Sequence, residues 1–136
     1  GVASACMDTS DGLVATLDQL ARLNGVALRV TRAQEDLLEP GARSVRAHLG
    51  LPAFAFLAGH HGEFERAFTV PEGRWGGLVR EAARAGWTPL AIGRVEAGEG
   101  LFLGSREIDG ARVRNLLSEV GGDPQAYALS LVGMAP

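Results

Sequence analysis

The sequence predicts an α+β domain: a mixed β-sheet with helices packed on one face of it. Three observations carry this. Segments with strand and helix patterning alternate along the chain, two short apolar strands near its end flank a glycine-rich turn, and no repeat, low-complexity tract or linker divides the 136 residues. Interleaving alone favours parallel pairing, but a hairpin adds an antiparallel pair, so the sheet is expected to be mixed. The chain is long enough to bury one hydrophobic core. Its 46% hydrophobic and 21% charged residues match an ordinary globular domain, so a single domain over 1–136 is expected.

Residues 2–7 are small and apolar, consistent with a buried strand. From Leu13 the apolar positions Leu13, Leu17, Leu20 and Ala21 follow helical spacing. Ser10 or Asp11 is expected to cap that helix and Gly25 to stop it in a left-handed turn. "VALRV" at 26–30 alternates like a strand. Residues 33–52 contain acidic residues, Pro40 and a helical stretch in which Val45 and Leu49 share a face. The apolar segment 51–59 fits a short buried helix or a strand, and periodicity does not choose between them.

Next, Phe64, Arg66, Phe68 and Val70 fall on one face of a strand, with Glu63, Glu65, Ala67 and Thr69 on the other, until Pro71 ends it. Trp75, Leu78, Val79, Ala82 and Ala83 recur at helical spacing before a stop at Gly86, and Trp75 and Trp87 are expected to anchor in the core. Strands at 89–95 and 101–104 are expected to form the hairpin around "EAGEG". A last helix spans 108–122 with Asp109 as its cap, and the apolar tail 123–136 is expected to dock on the domain.

Composition narrows the possible functions. A net charge of −3 does not favour non-specific nucleic-acid binding, which needs a basic face. No apolar run approaches the ~20 residues of a membrane span, and no signal peptide opens the chain. The single Cys6 permits neither an internal disulfide nor a thiolate zinc cage, which suits a reducing cytoplasm; Cys6 itself is expected to be inert packing inside its strand. Lysine is absent and all thirteen basic residues are arginine, so Schiff-base chemistry and a P-loop lysine are excluded. The chain opens without Met and already in strand-like sequence, and we expect it to be a piece of a longer protein.

Chemistry concentrates in "ACMDTSDGLVATLDQL", residues 5–20, where two carboxylates and two hydroxyls crowd the handover from strand to helix. The first amides of a helix are unpaired and carry partial positive charge, which suits an anion. A carboxylate there would repel a phosphate unless a divalent cation lay between them. Asp8 and Asp11 could both face one Mg²⁺, which takes a few carboxylates together with phosphate oxygens and water. Ser10 and the Gly12 amide could then donate to phosphate oxygens. The alternative is plain capping, with Asp8 exposed in a turn.

The segment "MDTSDGLVATLDQLARLNGVALRV" resembles the opening of the C-terminal domain of thiamine-monophosphate kinases, in the aminoimidazole ribonucleotide (AIR) synthase-related superfamily. The family pattern D-x-S-D-G-L, a helix, then G-V-x-x-x-[VI] is met by Asp8, Ser10, Asp11, Gly12, Leu13, Gly25 and Val26. "EFERAFTVPEG" and "WTPLAIGRVEAGEGLFL" resemble two later family segments, and the three lie in register over residues 2–104. The resemblance implies an ATP- and Mg²⁺-dependent phosphoryl transfer to a small metabolite, with Asp8 and Asp11 as metal ligands and Ser10 as a nucleotide contact. It also implies an N-terminal ATP-binding domain that this chain lacks, a homodimer, and no activity in the isolated domain.

Where the family carries G-G-E-D-Y-E, this chain has His60, His61, Gly62, Glu63, Phe64 and Glu65. On the family pattern, His60, His61, Glu63 and Glu65 line the acceptor pocket. Adjacent histidines on an extended strand point to opposite faces and do not easily share a metal. One of them could donate to a substrate phosphate or act as a base, or both could be loop residues without chemistry. Other members of the superfamily, such as AIR synthase and selenophosphate synthetase, and a non-catalytic ligand-binding domain of the same fold, are the competing expectations.

Overall fold

β1 (Ala5–Asp8) runs into α1 (Leu13–Asn24), the strand-to-helix unit expected from the sequence, in a computed structural model that describes residues 2–62 and 65–136. One stripe of α1 is buried, including Val14, Leu17, Leu20 and Ala21. Fully burying a side chain of the size of Val or Leu contributes about 1.5–3 kcal/mol, so this stripe alone fixes the helix on the core. Gly25 stops α1 in the left-handed conformation, as expected.

β2 (Ala27–Val30) then enters a four-stranded mixed sheet of order β4-β2-β5-β6. It pairs antiparallel with β4 (Gly93–Glu96) and parallel with β5 (Gly100–Leu103), and β5 pairs antiparallel with β6 (Arg106–Ile108). The expected hairpin between 89–95 and 101–104 is therefore corrected. β2 lies between those two strands, and residues 97–99 step across its beginning. Gly98 and Gly100, with φ of 112° and 103°, supply backbone angles that other residues rarely adopt. The hairpin that does form is β5–β6.

Leu28, Leu101 and Ile108 stand side by side across the sheet and are buried beneath α1 and α5 (Gly110–Glu119), whose Val113 and Leu116 close the core. The opposite face carries Arg29, Arg94, Phe102 and Glu107 in one row. There the Arg29 guanidinium lies 4.4 Å from the Phe102 ring centroid, a cation–π contact, and pairs with Glu96 at 3.0 Å. Helices thus cover one sheet face, as the sequence predicts. α1 and α5 are further joined by Arg114 Nη1 donating at 2.6 Å to Asp18, which is only 6% exposed.

β3 (Arg66–Thr69) pairs antiparallel with β1 to form a separate two-stranded ribbon. A ribbon with one face on the core leaves alternate residues outward. Ala5 and Met7 face in; Cys6 and Asp8 face out, so the expected burial of Cys6 is overturned.

α3 (Ala53–Ala58) settles the open segment 51–59 as a helix, with Phe54 almost wholly buried. α2 (Pro40–Leu49) buries no residue and exposes Val45 and Leu49. α4 (Trp75–Arg84) buries only Ala82. Trp87 is 44% exposed, packed edge-on against Phe68 with ring centroids 6.2 Å apart, so it is not the core anchor expected. Asp109 caps α5, as expected, accepting from the Arg112 amide at 2.9 Å. The tail forms α6 (Pro124–Gly133), capped by Asp123 and docked through Tyr127 and Leu131. Among the described residues no helix is long and apolar enough to cross a membrane.

Candidate functional site

The loop between β1 and α1 is built by short-range bonds. Asp8 Oδ1 accepts from the Ser10 amide at 3.1 Å and from Ser10 Oγ at 2.5 Å, an Asx-type turn. These two bonds, the side-chain one first, hold the exposed Asp8 carboxyl below its ordinary range, with a smaller contribution from Arg66 across the ribbon. The Gly12 amide donates to the Thr9 carbonyl at 2.8 Å, and Thr16 Oγ1 reaches back to the Asp8 carbonyl at 2.9 Å, tying helix to strand end.

Neither Ser10 nor Asp11 caps α1, which corrects the expected cap. Gly12 is the N-cap residue, and no side chain bonds to the first turn. The reason is local: Ser10 is turned toward Asp8, leaving the helix entrance without a side-chain acceptor. Gly12 has φ 91° and ψ 149°, a region essentially confined to glycine. It is also pressed against α3: a Cβ there would lie 2.7 Å from the Gly59 carbonyl oxygen and 3.0 Å from that of Ala58. Since its amide already serves Thr9, Gly12 contributes shape, and not the free donor the sequence suggested.

Asp11 is exposed, and its side chain has no hydrogen bond or ion pair among the described residues. Thr9 is 3% exposed and its Oγ1 has no partner among them. No group of three or more His, Cys, Asp or Glu side chains among the described residues could hold a metal ion.

Gly59 and Glu65 reach the same corner. The Thr9 amide donates to the Glu65 carbonyl at 3.0 Å, continuing the β1–β3 pairing, while Gly59 abuts Gly12. Glu65 is exposed; Glu63, the other carboxylate predicted on that strand, lies outside the described residues. His60 and His61 are held by the protein itself. The His60 amide donates to Tyr127 Oη at 3.0 Å, its ring stands edge-on to the Tyr127 ring at 5.9 Å, and its buried Nε2 has no partner among the described residues. His61 Nε2 lies 3.0 Å from the Ala55 carbonyl, bonding to the last turn of α3 when that nitrogen carries the proton. The structure therefore sets the backbone of the 8–12 loop beside Gly59 and the Glu65 carbonyl, while the His60 and His61 rings pack toward α6 and α3. Tyr127, in the tail, supports the turn after α3 through the His60 amide and ring.

No family model matches the chain. A thiamine-monophosphate kinase of Aquifex aeolicus (strain VF5) is 30% identical over 108 residues, 79% of this chain and 32% of that protein. Among solved structures, tt0281 from Thermus thermophilus is 33% identical with a TM-score of 0.64, over 79% of this chain and 34% of that one. AaThiL complexed with AMPPCP and TMP is 31% identical with a TM-score of 0.61, over 79% and 32%. The chain spans about a third of the length of these relatives. Sequence and fold together uphold the resemblance drawn from the motifs: over about four-fifths of its length this chain is similar to part of a thiamine-monophosphate kinase, of the AIR synthase-related superfamily.

Proposed function

We propose that this chain is the C-terminal part of an ATP-dependent kinase of the thiamine-monophosphate kinase type, and that its β1–α1 loop holds the phosphate end of the nucleotide. The observation that carries this is the D-T-S-D-G turn, set at a helix entrance that no side chain caps, in a chain similar to a protein solved with AMPPCP and TMP. Asp8 and Asp11 would hold Mg²⁺, which when bound offsets the negative charge of the phosphates. The Ser10 hydroxyl fixes the Asp8 carboxylate as an ionised acceptor and stands next to the nucleotide phosphates. Gly12 holds the loop against α3. His60, His61 and Glu65, with Glu63 by the family pattern, would line the acceptor side, and the acceptor is a small phosphorylated metabolite such as TMP.

Two carboxylates are only part of an Mg²⁺ site. A preceding ATP-binding domain and a second subunit would complete it, in a cytoplasmic homodimer, and this chain by itself would not turn over. The test uses the polypeptide encoded by the whole gene, assayed for ATP-dependent phosphorylation of TMP and by calorimetry with Mg²⁺-AMPPCP. Asp11→Asn should lose turnover by two orders of magnitude or more and weaken nucleotide binding. Turnover and affinity unchanged by Asp11→Asn defeat the metal assignment; tight nucleotide binding without turnover on any phosphorylated acceptor favours a binding domain that kept only the fold.

A further inference from the structure

The site corner is supported from behind by a residue near the far end of the chain. Tyr127 lies on α6, is only 9% exposed, and accepts the His60 amide hydrogen at 3.0 Å, while its ring meets the His60 ring edge-on. That amide begins the stretch that leaves α3, and the two carbonyls just before it, those of Ala58 and Gly59, press on Gly12. His61 bonds back to Ala55 from the other side. The turn after α3 is thus clamped twice, and it lies so close to the glycine that opens α1 that no side chain would fit between them. The bonds within the 8–12 loop set its internal shape, and the clamped turn braces it at Gly12, which has no side chain with which to hold its own place.

We propose that Tyr127 is a positioning residue for the β1–α1 loop: its hydroxyl, through the His60 amide, holds the turn after α3 against Gly12 and so sets the geometry in which Asp8, Ser10 and Asp11 are presented. As it concerns affinity for nucleotide, this rests on the function proposed above; as it concerns the loop, it stands apart from it. The phenol is well suited to the task. Burial pushes its pKa above the ordinary 10, opposed by the bond from the His60 amide, so the acceptor stays a neutral hydroxyl across physiological pH.

The test compares Tyr127→Phe with Leu131→Ala, which loosens the same helix at another buried position without touching His60. Removing one hydroxyl while keeping the ring is mild enough to leave the fold intact. Amide hydrogen exchange by NMR on this chain reads the loop directly. Tyr127→Phe should speed exchange at His60, Gly12 and Thr16 at least fivefold more than Leu131→Ala does at equal loss of thermal stability. In the whole gene product it should weaken Mg²⁺-AMPPCP binding about five- to tenfold, with Leu131→Ala near wild type. Exchange at Gly12 and Thr16 that moves no more in Tyr127→Phe than in Leu131→Ala overturns the proposal, whatever the nucleotide does. Faster exchange at those amides in a gene product that binds no nucleotide supports the positioning role and defeats the kinase assignment instead.

Discussion

Replacing Gly12 by alanine tests the geometry of the loop most directly. At φ 91° and ψ 149° any residue with a Cβ is strained, at a cost of about 1–3 kcal/mol. The new methyl would also stand 2.7 Å from one backbone carbonyl oxygen and 3.0 Å from another, neither able to swing aside like a side chain, and overpacking of this kind costs about 1–3 kcal/mol more. Gly12→Ala should therefore destabilise the domain by about 2–6 kcal/mol, much of the 5–15 kcal/mol that a domain of this kind has in total. Gly25 is the internal control. Its φ of 60° is left-handed but nothing lies within 4 Å of where a methyl would stand, so Gly25→Ala should cost only about 1–2 kcal/mol. Urea unfolding followed by circular dichroism measures both. If the two variants agree within about 0.5 kcal/mol, Gly12 is not pressed against α3 and the clamp described above has no target.

Three more predictions bear on the site and its support. Asp8 titrates below the ordinary 3.8 when folded, so its contribution to stability is present above that value and lost as pH falls through the folded value; Ser10→Ala should raise the Asp8 pKa in a carboxyl ¹³C titration and flatten that part of the acid-unfolding curve, and an unmoved pKa refutes the Ser10 bond. Arg114→Met leaves Asp18 buried without its partner and should cost about 3–5 kcal/mol, part of it recovered when Asp18→Asn removes the charge; a double variant no better than Arg114→Met counts against the pair. Cys6 is exposed on the ribbon face that carries Asp8, two residues and about 7 Å along the strand, so Mg²⁺-AMPPCP should slow its reaction with a thiol reagent in the whole gene product. Equal rates with and without nucleotide would place the ligand elsewhere.

The β1–α1 unit was legible in the sequence because each of its signals is local: a short apolar run, leucines at helical spacing, a glycine stop. Asp109 as a cap was legible for the same reason. The cap of α1 was not, because Ser10 had two acceptable roles and chose Asp8 over the helix. The hairpin between 89–95 and 101–104 failed because consecutive strands usually pair, and nothing local shows that β2, far earlier in the chain, takes the place between them. Cys6 was misplaced since its apolar neighbours suggest a strand buried on both faces, whereas the two-stranded ribbon has only one. The supports of His60 and His61 depend on partners that only tertiary structure supplies: Tyr127 is 67 residues from His60.

The step that residues 97–99 take across the start of β2 has a bearing on how the chain assembles. One short stretch supplies both neighbours of that strand, and a native sheet without β2 would have a gap one strand wide between β4 and β5. Closing the sheet therefore needs contacts of high sequence separation on both edges of β2, which form slowly. Shortening the crossing by one residue should therefore slow refolding, and an unchanged refolding rate would show that the crossing is not part of the slow step.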